Sequence, residues 1–232
     1  MIRSHNEGGI LYLVGIAGGS GSGKTTFAHK IAEIVHRELE RDEISILSMD
    51  SYYLPSEPKS HLTETGKPNF DHPSAFDWEL LRFHLESLKK GDSIAVPIYN
   101  FAKSARENNQ TKKIGPSSIV LFEGIFSLFL KEIRDILDIK VFLHVDADIR
   151  FTRRLHRDVN ERGRSLESVI AQYYETVRPM YQKYLDPQRQ YADFIVGEEN
   201  DNAAKILSAR LKEILLSMHE NKMENDKEQT LH

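Results

Sequence analysis

The chain has 232 residues, a formal net charge of −4 and no cysteine, which suits one α/β domain of ordinary size and excludes disulfides, thiolate metal sites and cysteine nucleophiles. The acidic balance, with a pI near 6.2, argues against a general polyanion binder, so no nucleic-acid partner is expected. A mean hydropathy of −0.47 and the absence of an apolar run of membrane length predict a soluble, cytoplasmic protein without a membrane partner.

Residues Met1 to Gly9 hold no apolar core of the kind a secretory signal needs. Leu11 to Ala17 is a near-continuous apolar run, suited to a parallel strand buried on both faces. After it comes Gly18-Gly19-Ser20-Gly21-Ser22-Gly23-Lys24-Thr25, and then apolar residues at Phe27, Ile31, Ile34, Val35 and Leu39 with a helical period. A Gly-x-x-x-x-Gly-Lys-Thr string between a buried strand and a helix is a phosphate cradle. Its glycines let backbone N–H groups converge on phosphates at the positive end of the helix. Lys24 is placed to reach the terminal phosphates and the Thr25 hydroxyl to ligate Mg²⁺, with Thr26 completing the donor-binding turn.

Further strands are predicted over Ile44–Met49, Ile119–Phe122, Lys140–Val145 and Phe194–Val196. Helices are predicted over Thr25–Leu39, Trp78–Lys90, Ile149–Asn160, Leu166–Leu185 and Ala203–Met218. Their alternation implies an α/β, three-layer nucleoside-triphosphatase fold with a mostly parallel central sheet. Two stretches interrupt it. Ser51 to Asp77, with Pro55, Pro58, Pro68 and Pro73, is an irregular loop whose length marks it as functional. Ile94–Tyr99 and Lys112–Ile114 read as the arms of a β-hairpin insertion whose polar tip turns at Asn108-Asn109. One domain is expected over residues 8–219, with insertions at about 51–77 and 94–114 and a flexible polar tail over 220–232.

Three groups of residues carry candidate chemistry at the carboxyl ends of these strands, where ligands sit in open parallel sheets. Glu123 ends a buried strand and is the acid expected beside a phosphate-bound Mg²⁺. Asp50 closes the second strand, where it can take the proton of an attacking hydroxyl or orient it. Arg150, Arg153, Arg154, Arg157, Arg162 and Arg164 crowd one segment, and Arg150, Arg154 and Arg157 share a helix face. Arginine forks over a transferring phosphoryl group stabilise the charge on its oxygens. With the hinge at Gly163, residues of about 150–172 read as a helical, Arg-rich lid. A guanine-switch reading fails because Asn-Lys-x-Asp is missing, its nearest imitation being Asn221-Lys222-Met223-Glu224 in the tail. His36-Arg37-Glu38 imitates a zinc deaminase opening, but no cysteine completes the site.

From the phosphate loop to about Val196 the chain resembles the uridine-cytidine kinase family of P-loop kinases. The resemblance rests on Gly18–Thr25, Met49-Asp50-Ser51-Tyr52-Tyr53, the stretch Asn69–Asp77 with its Asp-His-Pro-Ser-Ala, Pro97-Ile98-Tyr99, Phe122-Glu123-Gly124-Ile125 and Arg157–Arg164. It implies ATP as phosphoryl donor, with GTP left open, Mg²⁺ as cofactor, and uridine or cytidine as acceptor. Asp50 is then implied to be the catalytic base for the ribose 5′-hydroxyl, and Asp71 to hold the 2′- and 3′-hydroxyls. Tyr53, Tyr99 and Phe101 would line the nucleoside pocket, Arg162 and Gln172 would contact the nucleoside side, and Arg154, Arg157 and Arg164 would cover the phosphates. Where the family places a base-reading histidine this chain has Ser104, whose shorter hydroxyl implies a bridging water or a different reading of the base. A homo-oligomer, specifically a tetramer, is implied by the resemblance alone. The alternative acceptors are the small alcohols of phosphoribulokinase- or pantothenate kinase-like enzymes.

Overall fold

The computed structural model describes residues 11–54, 63, 66, 68–101, 103–115 and 117–230. Pro55 and Pro58 of the long loop, and the leading segment Met1 to Gly9, lie outside the described residues. A parallel sheet of five strands runs in the order β2-β5-β1-β6-β7, built from β1 (Tyr12–Gly18), β2 (Ile44–Ser48), β5 (Ile119–Glu123), β6 (Ile139–Leu143) and β7 (Phe194–Val196). β5 is buried throughout, and β1 at every residue after the half-buried Tyr12, because helices cover both faces. Leu13, Ala17, Val120 and Phe122 face one core with Leu81, Leu85, Phe126 and Ile133. Val14, Ile16, Leu121 and Val141 face the other, against Phe27, Ile31, Leu207 and Leu211. The first layer comes from α2 (Trp78–Lys89) and α3 (Lys131–Ile136), the second from α1 (Lys24–Leu39) and α7 (Asp201–Thr230). This is the expected three-layer fold.

Differences from the sequence reading have local causes. The insertion is a two-stranded antiparallel sheet of β3 (Ile94–Asn100) and β4 (Ala105–Ile114), and its tip lies between those strands rather than at Asn108-Asn109. Those asparagines lie inside β4, where the register jumps between the Pro97–Thr111 and Tyr99–Arg106 pairs. Asn109 takes φ +58 there, a left-handed conformation that asparagine tolerates, so its turn propensity is spent on a bulge. The turn itself uses φ +48 at Ser104.

The helix expected over Leu166–Leu185 is one continuous run with two widened turns. It consists of α5 (Leu166–Gln172), a π turn at Tyr173–Val177, α6 (Arg178–Met180) and a second π turn at Tyr181–Leu185. Pro179 and Pro187 lack the N–H that would close the ordinary ladder, and the helix widens one turn ahead of each. The last helix also continues through Thr230, so the segment expected as a tail is helical, as its Glu, Lys and Gln content and lack of Gly or Pro permit. The segment expected to act as a lid begins with α4 (Ala147–Asn160).

A buried pair between the Met49–Tyr52 turn and α2 gives a pH signature. The Tyr52 hydroxyl and His84 Nδ1 lie 2.8 Å apart, with both residues in the core. Burial pushes the His84 pKa down, with Asp77 acting the other way. The folded state therefore holds this ring neutral while the unfolded chain protonates near pH 6.5. The stability it contributes is present above that value and fades as pH falls towards the depressed folded pKa. Thermal unfolding should show a midpoint that drops between pH 7 and 5. His84→Gln should flatten that drop, and an unchanged pH slope would contradict the assignment.

Candidate active site

The site forms where β1, β2 and β5 end side by side. Gly21 adopts φ +81, and a Cβ there would lie 2.3 Å from the Arg150 carbonyl oxygen, so α4 packs directly onto the loop Gly18–Thr25. The turn is closed by the Ser22 N–H donating to the Gly19 carbonyl at 3.1 Å. Lys24 Nζ donates to the same carbonyl at 3.1 Å, and burial pushes its pKa down while Glu123 and Asp50 oppose the shift. Thr25 Oγ1 and Ser48 Oγ both donate to Glu123 Oε1, at 3.1 and 2.7 Å. Glu123 is buried, and desolvation raises its pKa.

Asp50 sits in a 3₁₀ turn, Met49–Tyr52, whose cap is Ser48: the Asp50 N–H donates to Ser48 Oγ at 3.3 Å. That turn abuts the end of β5 because Gly124 has no side chain; a Cβ there would lie 2.3 Å from Met49 Cβ. The Asp50 charge is felt at Lys24, Glu123, Tyr53, Tyr99 and Arg162, which places it at the centre of the site.

Opposite the phosphate loop lies an aromatic box. Tyr53 meets Tyr99 at 5.3 Å, Phe101 at 6.2 Å, Phe70 at 5.8 Å and Phe76 at 4.2 Å between ring centroids. Burial raises the Tyr53 pKa, and the Asp50 and Asp71 charges add to the shift. Tyr99 is pushed up to about 12 by burial and Asp50, with Arg106 and the neighbouring Ser104 side chain acting the other way. Arg106 fastens the hairpin to the Asp50 turn. It donates to the Tyr53 carbonyl at 3.1 Å and the Tyr52 carbonyl at 3.3 Å, and pairs with Asp77 at 3.1 Å.

Asp71 is buried beside this box, with its Oδ2 accepting from Thr176 Oγ1 at 3.1 Å.

The arginines divide into two sets. Arg150 lies beneath the phosphate loop, donating through Nε to the Val145 carbonyl and stacking on Tyr181 at 3.7 Å. Arg154, Arg157, Arg162 and Arg164 converge on the fully buried Asp158. Arg157 Nη2 and Nε lie 2.8 and 2.9 Å from Oδ1; Arg162 is 3.5 Å from that oxygen. Arg154 and Arg164 approach Oδ2 at 3.5 and 3.7 Å. The turn at Gly163, with φ +64, brings Arg162 and Arg164 back to the carboxylate. One buried negative charge against four positive ones leaves an anion receptor. Accordingly, burial and neighbouring guanidinium groups hold the Arg162 and Arg164 pKa values below normal. The receptor touches both halves of the site, since Arg154 Nη1 donates to Ser20 Oγ at 2.9 Å and Arg162 stacks over Phe101 at 4.3 Å.

The expected residues therefore come together, with two adjustments. Gln172, assigned to the nucleoside side, has its Oε1 among the arginines, accepting from Arg154 at 2.9 Å and from Arg164. Arg150, drawn onto the lid face by helical spacing, supports the loop instead. Sequence reasoning missed Ser48, Arg106, Asp158 and Thr176. A cluster of arginines implies a counter-ion, which was the available signal for Asp158; no pattern in the chain marks Thr176. Also missed was a groove of about 550 Å³ that starts at Ser22, Gly23 and Thr26 and continues along Lys30, Arg153 and Glu198–Asn202.

A phosphate cradle, an acid at the end of the neighbouring strand and an arginine receptor over both define a P-loop phosphotransferase, that is, an enzyme of the kinase class. The chain belongs to the phosphoribulokinase / uridine kinase family, whose model matches residues 13–205. It is 47% identical over 210 residues to a uridine kinase of Lactobacillus helveticus, covering 88% of this chain and 95% of that one. A uridine kinase of Shewanella amazonensis is 45% identical over 207 residues, covering 88% and 96%. The phosphoribulokinase of Rhodobacter spheroides shares the fold at 12% identity, with a TM-score of 0.57 over 80% of this chain and 69% of that one. Among the described residues no helix is long and apolar enough to cross a membrane.

Proposed function

We propose that the chain is a pyrimidine ribonucleoside kinase, transferring the γ-phosphoryl group of ATP to the 5′-hydroxyl of uridine or cytidine. The observation that carries this reading is the pairing of a buried carboxylate, Asp71, with the Tyr53–Tyr99–Phe101 box, whose Tyr53 feels both the Asp50 and the Asp71 charge. A carboxylate reads a vicinal diol and the rings take a flat base, whereas a small sugar phosphate or pantothenate has no use for an aromatic box. Asp50 accepts the 5′-hydroxyl proton as that oxygen bonds to the γ-phosphorus. The bond from phosphorus to the β–γ bridging oxygen breaks, and ADP leaves.

Lys24 and the arginines around Asp158 stabilise the negative charge of the transferring group. The groove beyond Thr26 accommodates the base end of the donor. Thr25, Ser48 and Glu123 offer one carboxylate and two hydroxyls, a hard oxygen set suited to Mg²⁺ that completes its shell with phosphate oxygens and water. When bound, that ion neutralises phosphate charge. The proposal takes residues 8–219 as one catalytic domain with its lid at about 150–172, and the assembled enzyme as a homo-oligomer.

An ADP-release assay over uridine, cytidine, 2′-deoxyuridine, ribulose 5-phosphate and pantothenate tests the reading. Turnover with the two ribonucleosides is expected, and silence with both would refute it. In the same assay Asp71→Ala should raise the KM for uridine by about 10² or more, because the diol loses charge-assisted hydrogen bonds.

A further inference from the structure

Asp71 is held from two sides. Its backbone N–H donates to Asn69 Oδ1 at 3.1 Å, which fixes the chain in a local turn. Its carboxylate is held at Oδ2 by the Thr176 hydroxyl, and Asn69, Asp71 and Thr176 are all buried. Thr176 stands on the first π turn, Tyr173–Val177, where its hydroxyl also lies 3.2 Å from the Gln172 carbonyl oxygen. A hydroxyl has one proton to donate, and both neighbours are acceptors. The carboxylate oxygen is the nearer of the two and, being charged, the stronger acceptor, so the proton goes to Oδ2 and the Gln172 carbonyl is left as the weaker neighbour.

We propose that Thr176 is a positioning residue for the acceptor: it fixes the rotamer of Asp71 so that the carboxylate faces the ribose diol ready to accept both hydroxyl protons. The inference rests on the nucleoside reading of Asp71 given above. An unheld carboxylate rotates and must be ordered by the substrate, which weakens ground-state and transition-state binding alike. Such a loss appears in KM and leaves kcat alone. A residue that merely supports the helix would instead affect turnover, both substrates and stability together. The same hydroxyl belongs to the helical run that carries Gln172, whose side chain takes Arg154 and Arg164, so its effect on the donor is a sensitive control.

The test compares Thr176→Val, which keeps the shape and removes the donor, with Thr176→Ser, which keeps the donor. In Thr176→Val the KM for uridine should rise about five- to tenfold with kcat and the KM for ATP within about twofold, the net effect of losing one intramolecular hydrogen bond that orders the carboxylate without touching uridine. The preference for uridine over 2′-deoxyuridine should shrink, and Thr176→Ser should restore both values. An unchanged uridine KM in Thr176→Val overturns the inference, as does a parallel loss of kcat and of both KM values that Thr176→Ser shares. Asp71→Ala measured alongside separates the two levels. If it raises the uridine KM and Thr176→Val does not, the role of Thr176 alone fails; if neither does, the reading of Asp71 fails and takes this inference with it.

Discussion

Asp50→Asn is expected to lower turnover by about 10² to 10⁴-fold while the Kd for uridine stays within about threefold. The substitution keeps size and hydrogen-bonding shape but removes the carboxylate proposed to take the 5′-hydroxyl proton. Among the described residues, the other carboxylates of the site are otherwise engaged. Glu123 is already engaged by Thr25 and Ser48, and the Asp71 carboxylate is held by the Thr176 hydroxyl. The Ser48 cap accepts the backbone N–H of residue 50, so the turn and the fold should both survive the change. Binding should hold because Asp71 stands on a segment of its own, and Tyr53, which caps the turn carrying Asp50, keeps its backbone when one carboxylate oxygen becomes an amide nitrogen. Turnover retained within tenfold of wild type would show that Asp50 only orients the hydroxyl.

Asp158→Asn should have the largest effect on stability. The carboxylate is fully buried and is the shared partner of Arg154, Arg157, Arg162 and Arg164. Removing one member of a buried charge pair leaves the other uncompensated, which costs about 3 to 5 kcal/mol. The side chains of Arg157, Arg162 and Arg164 are about a third exposed and can turn to water, so the lower end, about 3 kcal/mol, is the expectation here. For a chain of this length that corresponds to a midpoint lowered by about 6 to 12 °C. Arg154 is the exception. Its side chain is only 9% exposed, and it holds Ser20 of the phosphate loop, so losing its partner also loosens the donor site. Donor KM should rise more than uridine KM. A midpoint unchanged within a degree or two would mean that the arginines are neutralised by solvent rather than by Asp158.

Much of this site is written in short strings whose chemistry is local. The glycines and Lys24 of the phosphate loop, Asp50 and Glu123 at strand ends, and the near-continuous apolar runs of β1 and β5 each declare a role within a few residues. The sheet follows from the same runs, because a strand buried on both faces admits little ambiguity. What stays hidden depends on contacts between distant segments. Thr176 meets Asp71 across more than a hundred residues, and Arg106 reaches the Asp50 turn from the hairpin. Asn108-Asn109 shows a further reason: a left-handed propensity is equally satisfied by a turn or a bulge, and the strand pairing decides which. The π turns likewise follow from Pro179 and Pro187, yet a helical period reads through them. Gln172 has a nucleoside contact only through the family resemblance, and its Oε1 accepts from Arg154 and Arg164, neighbours that no string in the chain announces.

The central claim is that Asp50 and Asp71 together direct phosphoryl transfer to the 5′-oxygen of a pyrimidine ribonucleoside. The most direct measurement is to incubate the enzyme with ATP, Mg²⁺ and uridine and to identify the product by phosphorus-coupled NMR. The account predicts ADP and a single monophosphate whose phosphorus couples to the 5′ protons. Phosphate on the 2′- or 3′-oxygen, or ADP released without any phosphorylated nucleoside, would contradict it.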